Sequence, residues 1–256
     1  MHAGLFSRLA ADSSLSQTHA FSQQAWRQHH YPPGQGTLCA GLTSFWLADK
    51  LQLGAPLARL DAVAPDPLLL RRIARLQALS YYPAFPPGFT PGQQELMLLA
   101  GKYGTQDWPA IQRHVASAHQ GDFVLYDLAR MFAPTSASIV RLATLPASLP
   151  ALPPLAAGSA VIGVLRYLEH GQPGGHRIAC WRDHRNEHHF FDPNAGEIVA
   201  PDDASFHRWL AGFLVHGDHR KFQPAPGEDF LTLYLLENVV PPHGDGQHGH
   251  TLVESA

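Results

Sequence analysis

The chain predicts an α+β protein, helical in its first half and built on an antiparallel sheet in its second. Three observations carry this expectation. Before residue 143 apolar residues recur at helical spacing. After residue 158 they crowd into short β-branched and aromatic runs bounded by Gly, Pro, Asp or Asn. Between the two lies ATLPASLPALPPLAAG (143–158), a Pro-rich connector without polar periodicity. With 256 residues and 45% hydrophobic residues, the chain is long enough to bury one large core.

The elements follow in order. Residues 1–30 are polar and read as a flexible leader holding at most one short helix near Ala20–Arg27. HHYPPGQGT (29–37) is a turn-rich loop, since its Pro pair and two Gly exclude regular structure. CAGLTSFWLADKLQ (39–52) reads as a helix, with Leu42, Phe45, Trp46 and Leu53 on one stripe. Asp66–Tyr82 is a second helix, with Asp66 as its cap and Pro67 in its first position. Pro91–Lys102 and Pro109–His119 are shorter helices, and Gly121–Phe132 is a strand running into a helical turn.

SAVIGVLRYL (159–168), HRIACW (176–181), HHFFD (188–192) and FLTLYLLEN (230–238) are strands. One helix, Ala204–Val215, interrupts them. Asp202 or Asp203 caps it, and Phe206, Leu210, Phe213 and Leu214 face inward. Residues 241–256 form a disordered tail. The main domain is therefore expected over residues 31–240.

Composition excludes several function classes. A net charge of −3 argues against a dedicated nucleic-acid binder. No apolar run approaches the ~18 residues a membrane helix needs. The N-terminal segment lacks the apolar stretch of a Sec signal peptide. Two cysteines exclude a disulfide scaffold and a four-thiolate zinc site. The 17 histidines would make the chain strongly cationic on mild acidification. There is no Walker loop, no GxGxxG after a strand, no GxSxG and no HExxH.

The chemistry centres on Cys39. It follows a Gly-containing loop and opens a helix, where unpaired backbone N–H groups and the helix dipole favour a thiolate. The same amides can hold a developing oxyanion, and Gln35, four residues upstream, can add a side-chain N–H. A thiolate needs a base. HRIACW and HHFFD flank RDHRNE (182–187), and an antiparallel hairpin centred on His184 would set His176 opposite Asp192 and Cys180 opposite His188. A carboxylate beside an imidazole fixes its tautomer and stabilises the imidazolium.

Cys180 lies four residues along the strand, roughly 13 Å at strand rise, too far for an unstrained bridge to a Cys39 that touches His176. It is read as structural. His184, His188 and His189 near Asp183 and Glu187 have a spacing that could hold a metal, but read as a solvated hairpin tip, so no metal or cofactor is expected. The tail HGDGQHGH is an adventitious binder of Zn or Ni.

At these residues the chain resembles a known family. GTLCAGLTSFWLADKL is similar to the nucleophile segment of the YopT/AvrPphB family of papain-like cysteine proteases. GGHRIACW and HHFFDPNAGE resemble that family's His strand and Asp-bearing strand end, in the same Cys, His, Asp order. The resemblance covers the segment around Cys39 and the stretch from Gly174 to Val215. It implies a papain-like fold with Cys39 as nucleophile, His176 as general base and acid, and Asp192 as the orienting carboxylate. The catalytic domain would then be residues 31–240. The family consists of bacterial effectors and toxin modules.

The implied function is hydrolysis of a peptide bond in a target-cell protein, after secretion by a dedicated non-Sec route into that cell's cytosol. A chaperone or immunity protein is a further candidate partner; nucleic acid and an integral membrane segment are not expected. An amidase or glutamine deamidase would need the same triad. A non-catalytic binding module of the same fold and a His-rich metal protein are the remaining alternatives.

Overall fold

A computed structural model describes residues 6, 8–11, 15–31, 37–52, 56–62, 66–79, 132, 134–142, 155–216, 223–224 and 229–239. Its helices are α1 (Gln23–His30), α2 (Cys39–Leu51), α3 (Pro56–Leu60), α4 (Pro67–Leu79) and α5 (Asp203–His216). Its strands are β1 (Ser16–Ala20), β2 (Ser136–Leu142), β3 (Ala160–Glu169), β4 (Gln172–Arg182), β5 (His188–Asp192), β6 (Gly196–Ala200), β7 (Gln223–Pro224) and β8 (Leu231–Glu237). All pairings are antiparallel, in the order β1-β6-β5-β4-β3-β8-β2, with β7 beside β3. The α+β class expected from the sequence is what the chain adopts.

The sheet is buried on both faces, which explains strands that read as continuous apolar runs. Along β3, Ala160, Ile162 and Val164 join a core with Leu42, Phe45, Trp46, Leu60 and Ile73 from α2, α3 and α4. The alternate residues Val161 and Leu165 face Phe206, Trp209, Leu210, Phe213 and Leu214 of α5. A two-residue side-chain period thus feeds two separate cores from one strand. Trp46 stacks on Phe191 at 5.3 Å between ring centroids, joining α2 to β5.

The α2–α4 packing depends on Gly41. A Cβ there would lie 2.3 Å from the Ile73 carbonyl oxygen, so only glycine permits this approach. Caps settle the helix starts. Asp66 accepts from Leu68 N at 2.9 Å, and Asp202 accepts from Ser205 N at 2.8 Å, so Asp202 rather than Asp203 caps α5.

The structure corrects three expectations. First, the described part of residues 1–30 is built into the fold. β1 pairs with β6, and Phe6 is 1% exposed, edge-on to Trp209 and Phe213. SQTHA carries no apolar alternation, so its strand is held by β6 rather than announced by its own pattern.

Second, the β4–β5 register differs. Cys180 faces Phe190, not His188, and Ala179 faces Phe191. Continued to the strand ends, this sets Asp192 diagonally across from His176 instead of directly opposite. Because the displacement is by two positions, each side chain keeps its face.

Third, His188 and His189 do not sit on a solvated tip. His188 is buried against Asp203 and Phe206, and His189 is buried beside Glu197 and Trp181. The helices expected at 91–102 and 109–119, the strand over 121–131, Leu53, Gln35, residues 143–154 and the tail 241–256 lie outside the described residues. Among the described residues, no helix is long and apolar enough to cross a membrane.

Candidate functional site

Cys39 is the first residue of α2, with Leu38 as a cap that makes no side-chain hydrogen bond. Its position is fixed by matched periods. On α2, Cys39 and Thr43 are one turn apart on the same side. On β4, Gly175 and Arg177 are two residues apart on the same side. Thr43 Oγ1 donates to the Arg177 carbonyl at 3.1 Å, and Cys39 Sγ lies 4.0 Å from the Gly175 carbonyl. Four residues of helix rise about 6 Å and two residues of strand about 6.6 Å. The helix start is therefore laid against the strand just where His176 stands between the two anchors.

His176 is 4% exposed and Asp192 2%. His176 Nε2 lies 2.8 Å from Asp192 Oδ1, so the carboxylate holds one side of the ring. Asp192 ends β5, and its Oδ1 also accepts the Asn194 N–H at 2.7 Å, so the DPNAG turn orients the carboxylate that orients the ring.

The electrostatics follow. Burial alone would raise the Cys39 pKa. The His176 hydrogen bond and charge, the Arg177 charge and a hydrogen bond from the Arg177 backbone outweigh it and bring the thiol below its ordinary value. Burial alone would lower the His176 pKa. The Asp192 charge and hydrogen bond, together with Cys39, push it up to about 10. Such a pair favours thiolate and imidazolium.

Gln23, which sequence reasoning missed, ties the two halves of the site together. It is 8% exposed on α1. Its Oε1 accepts the Leu38 N–H at 3.1 Å, immediately before Cys39, and its Nε2 donates to Asn194 Oδ1 at 2.6 Å. Its backbone N–H donates to the Pro193 carbonyl at 2.7 Å. No sequence motif marks a Gln of this kind; the buried pairing alone reveals it.

Gln77 of α4 was likewise missed. Its Oε1 accepts the Gly41 N–H at 3.0 Å, satisfying one of the free amides in the first turn of α2. Tyr167 lies near enough to feel the site. Burial, Glu169, Cys39 and Asp192 together push its phenol up to about 12. Gly174 makes room for its ring, since a Cβ there would sit 2.7 Å from Tyr167 Cε2.

The structure thus brings Cys39, His176 and Asp192 together, whereas Gln35 falls outside the described residues. Cys180 is free and buried in the α5-side core, and burial pushes its thiol well above the ordinary range.

Comparison with known proteins gives one family. Residues 150–231 match Peptidase_C58, described as Yersinia/Haemophilus virulence surface antigen. This is under half of the chain, and it includes His176 and Asp192 but not Cys39. The resemblance to the YopT/AvrPphB family is thereby found in the half of the chain that carries the His and Asp strands. Among solved structures, the crystal structure of the Pseudomonas avirulence protein AvrPphB matches with 16% identity, over 78% of this chain and 89% of that one, at a TM-score of 0.42. PatoxP, a cysteine protease-like domain of the Photorhabdus asymbiotica toxin PaTox, matches with 9% identity over 91% and 87%, at 0.23. No curated protein matches the chain.

Proposed function

We propose, taking the family match over residues 150–231 as premise, that the chain is an effector-type cysteine protease of papain-like fold acting on a protein of a target cell. The observation that carries this reading is the buried pair His176 and Asp192, with Nε2 2.8 Å from Oδ1, beside a Cys39 thiol whose pKa the His176 imidazole helps to lower against burial. Three remote segments converge on one nucleophile with its base and the base's orienting group.

The steps follow from this geometry. The Cys39 thiolate attacks the scissile carbonyl carbon, and the electron pair of the C=O bond moves onto oxygen. The backbone N–H of Cys39, at the positive end of α2, serves that oxyanion; Gln35 is the second donor this reading assigns from the sequence alone. Collapse of the tetrahedral adduct breaks the C–N bond, and the His176 imidazolium gives its proton to the departing amine. Neutral His176 then takes a proton from water, whose oxygen attacks the thioester and releases Cys39 as thiolate. Asp192 holds the ring throughout and stabilises its charged form.

Delivery by a dedicated secretion route into the target cell belongs to the same reading, and so do a cognate chaperone or immunity protein and the assignment of residues 31–240 as the catalytic domain. The test is a comparison of new protein termini in cells expressing the wild type or the Cys39→Ala chain. Termini that appear only with the wild type support the reading. Identical terminomes, with both chains folded and abundant, overturn it.

A further inference from the structure

Gly175 immediately precedes His176, and its carbonyl oxygen lies 4.0 Å from Cys39 Sγ. It is exposed, whereas the two side chains it stands beside are buried. Nothing within the described fold requires a glycine there. Its φ lies outside the left-handed region. Among the described residues, a Cβ at 175 would meet only the Leu165 carbonyl oxygen, at 3.4 Å, an ordinary van der Waals contact. The adjacent glycine differs: a Cβ at Gly174 would lie 2.7 Å from Tyr167 Cε2, so the Tyr167 ring needs that space.

Inside a strand, glycine is unfavourable. It loses more conformational freedom on folding than any other residue and has no side chain to pack. A β-branched residue at 175 would serve β4 better. A glycine that weakens its own strand and answers no packing need is accounted for by the close approach of a group from outside the chain.

The position shows which group. β4 pairs with β3 from Gln172 to Trp181, but with β5 only from Ala179 to Arg182. Below Ala179 that second edge meets the start of α2, through Thr43 on the Arg177 carbonyl and Cys39 beside the Gly175 carbonyl. Side chains alternate along the strand. His176 takes the side of Ile178 and Cys180, which belong to the α5-side core. Gly175 takes the side of Ala179 and Trp181, which belong to the α2-side core. A side chain at 175 would therefore rise beside the thiol on the face opposite the imidazole.

The proposed hydrolysis divides its substrate between these two faces. The His176 imidazolium gives its proton to the departing amine, so the amine side lies against the ring. The acyl side stays bonded to sulfur and lies away from the ring, over the bare backbone of Gly175.

We propose that Gly175 is a specificity-determining residue of this hydrolysis: by carrying no side chain, it leaves room beside the Cys39 sulfur for a bulky residue on the acyl side of the scissile bond. The substrate class it admits is a protein segment with a large branched or aromatic side chain there. The proposal rests on the cysteine protease reading, and Gly175 acts in it by shape alone, with no bond made or broken at this residue.

The test uses Gly175→Ala and Gly175→Val in the full chain. Both are expected to fold with a thermal midpoint equal to or above that of the wild type. Alkylation of Cys39, followed by peptide mass spectrometry, compares iodoacetamide with the much larger fluorescein-5-maleimide. The iodoacetamide rate is expected to stay within about twofold of the wild type in both variants, because the thiolate is untouched. The maleimide rate is expected to fall by about tenfold or more in Gly175→Val and by less in Gly175→Ala, the scale on which a single added group excludes a ligand. In cells, Cys39-dependent new termini should persist in Gly175→Val only where Gly, Ala or Ser lies on the acyl side, while the wild type also cuts after larger residues. A lowered midpoint in both variants, maleimide rates equal to the wild type, or a cleavage profile unchanged by Gly175→Val while Cys39-dependent termini are present overturns this inference alone. Identical termini from the wild type and Cys39→Ala overturn the hydrolysis reading and this inference with it.

Discussion

At the scale of single residues, the site depends on Gln23 as much as on the groups it positions. Its amide joins Leu38, beside Cys39, to Asn194, beside Asp192. Gln23→Ala leaves the buried Leu38 N–H without its acceptor, a loss of roughly 1–3 kcal/mol. The expected outcome is a kcat lowered by about tenfold to a hundredfold on a substrate found by terminal mapping, with KM little changed, because the strut touches no substrate. Gln23→Glu keeps the acceptor for Leu38 and should recover part of the loss. If Gln23→Ala lowers only thermal stability and leaves kcat intact, the residue supports the fold alone.

The residue scale also shows what can be read without a structure. Cys39, His176 and Asp192 are legible because each sits beside a local signal: a helix start, a Gly pair and a turn motif. Gln23 and Gln77 carry no such signal. Their roles arise from where α1 and α4 pack, and packing of remote segments leaves no local trace. The part played by Arg177 is equally hidden, since its backbone contributes to the Cys39 environment.

At the scale of elements, α2 is the pivot. It carries Cys39 at its start, Thr43 against β4, Trp46 on Phe191, and Lys50 paired with Glu197. Gly41→Ala would drive a Cβ into the Ile73 carbonyl and force α4 away from α2. A destabilisation of about 1–3 kcal/mol is expected from overpacking, measured by urea unfolding. An unchanged midpoint would show that α2 and α4 do not approach so closely.

Glu197→Ala should cost more. It strips the carboxylate from a mostly buried Lys50, and breaking such a pair costs about 3–5 kcal/mol. A loss below about 1 kcal/mol would mean that Lys50 is solvated. Strand existence was legible for β3, β4, β5 and β8, whose β-branched and aromatic residues are bounded by turn formers. The β4–β5 register was not, because the turn residues between the strands allow more than one loop length.

For the molecule as a whole, the two-faced sheet makes the N-terminal segment part of the fold. Its polar strand β1 closes the β6 edge, and Phe6 fills a hole among Phe190, Trp209 and Phe213. Neither role shows in a polar sequence with isolated aromatics, which is why composition reads it as a leader. Deleting residues 1–21 removes both. The expected result is a thermal midpoint lowered by several degrees or more, in line with about 3–5 kcal/mol for an aromatic cavity alone, and aggregation through the bared strand edge. A deletion variant with an unchanged midpoint would show that β1 and Phe6 do not hold the sheet.

The proposed hydrolysis requires Cys39 and His176 to share one proton as thiolate and imidazolium. The sign is fixed by the shifts. A lowered Cys39 pKa keeps thiolate present as pH falls below the normal thiol range, and a raised His176 pKa keeps imidazolium present until pH nears about 10. The measurement is the rate of Cys39 alkylation by iodoacetamide from pH 5.5 to 9, followed by peptide mass spectrometry in the wild type and in His176→Ala. The expected rate at pH 6 is within a few-fold of that at pH 8 for the wild type, with a steep climb toward the unperturbed thiol pKa of ~8.5 once His176 is gone. A wild-type rate that rises about tenfold per pH unit over the same range, with no change on losing His176, would contradict it.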